Sequence, residues 1–136
     1  MIHDNSLYVF TFNVRGRDRA RWVAQLRERI ETHEAGSPQF RLMKWRQAFD
    51  TISYQRLFHP PDETIWTVVF PATTQIAVDR ACSKSYIALL EEEDKAKVKQ
   101  DVQEIVERGD DKIWIDESQD LFEYPYKTWL VLARKK

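Results

Sequence analysis

A chain of 136 residues has room for one domain with a real core and too little for two. Its 43% hydrophobic and 32% charged residues fit a soluble globular protein, and its formal net charge of −1 argues against general nucleic-acid binding. The single cysteine, Cys82, excludes an internal disulfide, and no run approaches the roughly 18–20 apolar residues of a membrane span. Met1-Ile2-His3-Asp4 does not start a leader sequence, so a cytoplasmic protein is expected.

Leu7–Val14 (LYVFTFNV) is rich in aromatic and β-branched residues and predicts a strand buried on both faces. A helix capped by Asp18 follows, with Trp22, Val23, Leu26 and Ile30 on one face, and Gly36-Ser37-Pro38 ends it. The basic stretch 15–29 on this helix reads as a solvated face. Residues 40–49 alternate basic and aromatic types, and Trp45 and Phe49 at i, i+4 predict a short helix.

Tyr54–Phe58 reads as a short strand, His59-Pro60-Pro61-Asp62 as a turn, and Thr64–Phe70 as a strand stopped by Pro71. Thr73 or Thr74 caps the next helix, whose Ala77, Ala81, Ala88 and Leu89 make a small-residue face. Glu91 to Asp94 crowd the start of another helix, where the macrodipole favours anions. That helix buries Val98, Val102, Ile105 and Val106 and stops at Gly109. Residues 110–123 predict a polar loop with an extended piece at Ile113–Ile115. Tyr126–Leu132 is the last strand. The expectation is a single α/β domain over residues 1–136, with three main strands and about four helices.

The order of these pieces carries a resemblance: the Leu7–Val14 strand, the Trp22-Val23 helix, Pro38…Phe40…Trp45…Phe49, a second strand, Ser83-Lys84-Ser85-Tyr86, an acidic-start helix and a closing Pro125-Tyr126 strand. It resembles the C-terminal half of a class I S-adenosylmethionine-dependent methyltransferase, over nearly the whole chain. The resemblance implies a truncated Rossmann-like fold whose last strand lies antiparallel between the other two. It also implies that the helix carrying Ser83–Tyr86 lies toward the acceptor-substrate side. In that family a Gly-rich turn and an acidic residue, both in the N-terminal half, hold the cofactor. Here Gly16, Gly36 and Gly109 stand far apart with no G-x-G, so the chain is not expected to bind S-adenosylmethionine, and no cofactor is expected. The resemblance also makes Leu7–Val14 an uncovered apolar edge, for which a second copy, a partner chain supplying the missing half or a rearranged local element is expected as cover.

Three dispersed histidines, His3, His33 and His59, predict no metal site. No G-x-S-x-G elbow accompanies a serine, and Cys82 reads as a packed thiol. Ser83, Ser85 and Tyr86 are either satisfied hydroxyls on a helix or donors to a substrate oxygen. Arg80, on the same helix, either pairs with Asp79 or Glu91 or stabilises developing negative charge. Asn13 and Arg15 close the first strand, at the carboxyl end where open α/β sheets gather ligands. Trp22, Trp45 and Phe49 are core residues or walls of an apolar pocket.

The expected catalytic set is Arg80, Ser83, Ser85, Tyr86 and Asn13, with Arg15, Trp22, Trp45 and Phe49 binding substrate. With the methyl donor's site gone, the reading is a cofactor-independent cyclase or isomerase acting on an apolar small molecule by orientation. The alternative is a non-catalytic subunit that completes or regulates a separate methyltransferase chain.

Overall fold

The computed structural model describes residues 6–136, and of residues 13–15 the backbone only. Among them are four strands: β1 (Leu7–Arg15), β2 (Asp62–Ala72), β3 (Trp114–Asp116) and β4 (Leu121–Arg134). The α-helices are α1 (Arg21–Glu31), α2 (Ile52–Leu57), α3 (Thr74–Cys82), α4 (Ser85–Ala88) and α5 (Glu92–Arg108), with 3₁₀ segments at Phe40–Leu42, Lys44–Asp50 and Glu117–Gln119.

The sheet order is β1-β4-β2, with β3 paired antiparallel to one end of β4. The last strand therefore lies between the first two, as expected. Lys135 N–H bonds Ser6 O at 3.1 Å and Gly16 N–H bonds Pro125 O at 2.8 Å. One unbroken antiparallel register satisfies both bonds and sets Phe12 opposite Trp129. His59 N–H to Arg134 O at 2.8 Å and the Phe58–Lys135 bridge bring the start of β2 to the end of β4, again antiparallel.

The chain divides into two compact units. The first comprises the residues up to Val14, Pro38–Thr67 and Lys127–Lys136; the second comprises Arg15–Ser37 and Val68–Tyr126. The second holds the larger core. Trp22, Val23, Leu26 and Ile30 of α1 are wholly buried, as the helical spacing predicts, with Val98, Val102 and Val106 of α5. Helix α5 packs on both α1 and α3. The Trp22 ring stands edge-on to Phe122 (5.4 Å) and Tyr124 (4.9 Å) of β4. Arg29 binds Asp101 at 2.8 Å, tying α1 to α5.

The first unit is built on rings. Phe12 stacks on Phe40 (4.0 Å), Phe40 on Trp45 (5.0 Å), and Trp129 meets Phe40 edge-on (5.6 Å). The chain of contacts continues from Trp45 to Phe49, Tyr54, Phe58 and Tyr8.

Several expectations are corrected. β1 is not buried on both faces: Leu7, Tyr8, Val9 and Phe10 are 51, 47, 55 and 45% exposed, and among the described residues β4 is its one sheet neighbour. Tyr54–Phe58 is not a strand. Thr51 accepts a bond from Tyr54 N–H and starts α2, which places the Tyr54 and Phe58 rings one turn apart and stacked at 5.1 Å. Pro71 does not stop β2, which runs on to Ala72; on an edge strand proline need cost no ladder bond.

Asp18 does not cap α1, whose N-cap is Ala20. Arg27 of the basic stretch is buried and paired with Glu31. The small-residue face is broken: Ala77 and Ala81 are buried, but α3 ends at Cys82 and leaves Ala88 and Leu89 exposed. Thr73 caps α3 through Ile76 N–H, and α5 begins with Glu92, Glu93 and Asp94, both as read.

Candidate functional site

The 3₁₀ segment Lys44–Asp50, helix α2 and the following prolines border an open cleft of about 610 Å³ in the first unit, called the cavity below. Phe49, Tyr54 and Phe58 form one wall, with Phe49 and Tyr54 edge-on at 4.8 Å. Pro60 and Pro61 also line it. Tyr54 on α2 and Phe58, the extended residue that caps its C-terminus four positions on, bring both rings to the cavity. Such a lining of apolar surface with a few polar groups is the usual make-up of a small-molecule site.

The polar groups are Arg46, Asp50, Gln55 and Lys136. Arg46 is oriented by Glu63 at 2.7 Å and lies over the Trp45 ring at 4.9 Å. Lys136 Nζ donates to Gln55 O at 2.7 Å, which leaves two of its three N–H groups for other acceptors. The Tyr54 hydroxyl donates to His59 O at 2.9 Å. Burial, then the nearby Asp62 carboxylate, push its pKa up, so the phenol keeps its proton. The cavity thus offers flat apolar walls, two cations and one carboxylate.

The residues singled out from sequence do not converge on one site. Phe49 lines this cavity, and Trp45 supports it, its ring edge-on to Phe49 at 5.9 Å and its indole N–H bonded to Phe40 O at 3.2 Å. Trp22 is corrected from substrate binding to core, being wholly buried in the second unit. Tyr86 is likewise buried in that core.

Arg80 pairs with neither Asp79 nor Glu91 in any contact the structure shows. It donates to the Tyr126 hydroxyl at 2.7 Å and lies over the Tyr126 ring at 5.6 Å. Ser83 is the C-cap of α3 and its hydroxyl donates to Arg80 O at 3.0 Å; Ser85 is exposed at the start of α4. The side chains of Asn13 and Arg15 lie outside the described ones.

Arg46, Asp50, Tyr54, Gln55, Phe58, Pro60, Pro61 and Lys136 were not read as site residues. The signal for Tyr54 and Phe58 was present: Thr51 as a cap, followed by two rings at helical spacing. Among the described residues no three His, Cys, Asp or Glu are grouped so as to hold a metal ion, and no helix is long and apolar enough to cross a membrane. Cys82 is half-buried, and burial pushes its thiol pKa up, away from the thiolate a nucleophile needs. No protein-family profile matches the sequence, and no curated protein matches it.

Proposed function

We propose that this chain is a cytoplasmic, methyltransferase-like protein of truncated Rossmann-like fold. It has no S-adenosylmethionine site of its own and acts on an apolar small molecule as a cofactor-independent cyclase or isomerase. The observation that carries the reading is the open cleft of about 610 Å³ lined by Phe49, Tyr54 and Phe58. The closing strand's place between β1 and β2 supports the fold half of it.

A cyclisation or isomerisation needs a flexible substrate held in its reactive conformation, and apolar walls supply that orientation. Lys136 and the Glu63-paired Arg46 both line the cleft, and in this reading they stabilise negative charge that develops on a carbonyl oxygen. The Asp50 carboxylate is the group on the rim that can take up a proton.

Cyclisation and isomerisation leave mass unchanged. In the source organism, loss of this chain should remove one metabolite and accumulate another of identical mass, and purified chain added to the extract should convert the second into the first without S-adenosylmethionine. Accumulation of a compound lighter by one methylene would identify a lost methyl transfer and overturn the reading.

A further inference from the structure

The two edges of the sheet differ in chemistry. β2 carries Asp62 and Glu63 at its start and Pro71 near its end, the charges and proline that keep edge strands from pairing. From Leu7 to Val14, β1 has no charge and no proline. The register with β4 turns the N–H and C=O groups of even-numbered residues, Ser6 to Gly16, toward β4. Those of Leu7, Val9 and Thr11 consequently face away from the sheet.

The side chains match the bare backbone. Leu7 and Val9 on one face and Tyr8 and Phe10 on the other are all about half exposed. Phe12 stacks on Phe40 and Tyr8 meets Phe58 edge-on, so the 40–58 segment covers part of one face of β1 and not its free edge. At about half of the ~150–250 Å² of a large side chain, the four β1 residues offer about 400 Å². Doubled across a two-fold axis, that is about 800 Å², the size of a small interface, to which the main-chain pairing of the two edges adds.

We propose that β1 pairs antiparallel with β1 of a second copy of this chain, centred on Val9, to make one continuous sheet. A charge-free strand is self-complementary, because pairing it with itself sets no like charges opposite one another. Centring on Val9 sets Tyr8 opposite Phe10 of the partner subunit and lets the outward N–H and C=O groups of Leu7, Val9 and Thr11 find partners.

Light scattering on the purified full chain should give twice 16.3 kDa. Val9→Lys should give the monomer with its near-ultraviolet tryptophan circular dichroism retained. If Val9→Lys does not fold, a second variant decides. In a Cys82→Ser background, Val9→Cys should oxidise to a covalent dimer, since a directly opposed strand pair about 5.5 Å apart falls within disulfide reach. Leu89→Cys, 85% exposed elsewhere, should not. A wild-type monomer at micromolar concentration, a dimer that Val9→Cys fails to cross-link, or a stable complex in which a different chain protects β1 from hydrogen exchange would each overturn the proposal.

Discussion

The guanidinium of Arg80 donates from Nη1 to the Tyr126 hydroxyl at 2.7 Å while lying over the Tyr126 and Phe70 rings. An exposed arginine on α3 is thereby fastened to a buried tyrosine of β4. The contact explains its position without a substrate: the aliphatic stem and the flat cation cover two rings, and the phenol gains a charged donor.

Arg80→Ala should therefore lower stability by about 2–4 kcal/mol, the sum of about 1.5–3 for a hydrogen bond to a charged group and about 0.5–1 for an exposed cation–π contact. Tyr126→Phe should lower it by less, and the double variant by less than the sum, as groups in contact behave. Urea denaturation of the four proteins checks this. Full additivity would show that the bond contributes nothing in solution.

Thr51→Ala should cost about 1 kcal/mol, the usual loss for a removed N-cap, since Thr51 accepts the Tyr54 N–H at the start of a six-residue helix. Because α2 carries Tyr54 and the residue after it is Phe58, the cavity should loosen with the helix. Chemical-shift titration with 2-naphthol as an apolar probe should show weaker binding than to the wild type, while Thr51→Ser, which keeps the cap, should restore it. Equal affinity in Thr51→Ala would separate the cap from the cavity.

What was legible in the sequence follows from where packing and local preference agree. The α1 face of Trp22, Val23, Leu26 and Ile30, the Thr73 cap, the acidic first turn of α5 and its Gly109 stop each have one local cause, and each is present. Tyr54–Phe58 went the other way because aromatic composition suggests a strand while the Thr51 cap dictates a helix. A six-residue segment has too few periods to arbitrate. Burial of Trp22 and exposure of Leu7–Phe10 are tertiary facts: the same apolar letters fill a core in one place and a sheet edge in the other. Lys136 reaches the cavity only because the end of β4 runs beside residues 57–59, a long-range pairing no local pattern encodes.

Gly109 ends α5 with φ of +61°, its N–H bonded to Ile105 O at 3.0 Å. A Cβ there would stand 2.7 Å from Lys112 Cε, whose ammonium lies over the Trp114 and Phe122 rings at 4.6 and 4.3 Å. Gly109→Ala should cost about 1–2 kcal/mol for the left-handed backbone, and more if Lys112 is driven off the rings. Thermal denaturation checks the total. Measured within a Lys112→Ala background, Gly109→Ala should cost only the backbone part; an unchanged cost there would place all of it in φ.

Glu31 gives the pH dependence. Burial raises its pKa, but bonds from Arg17 and Arg27 and their charges outweigh that and leave it below the usual glutamate value. The folded state therefore holds this proton less tightly than the unfolded chain. The resulting stability is fully present above the unfolded pKa and is lost as pH falls through the lowered folded value. Glu31→Gln should be less stable than the wild type at neutral pH, with Arg27, only 7% exposed at its side chain, losing its charge partner. As pH drops below the ordinary carboxylate range the two stability curves should converge, since protonated glutamate and glutamine both offer Arg27 a neutral group. Urea midpoints measured from neutral to strongly acid pH test it, and a gap that stays constant across that range would show that the Arg17–Glu31–Arg27 cluster does not hold the carboxylate ionised.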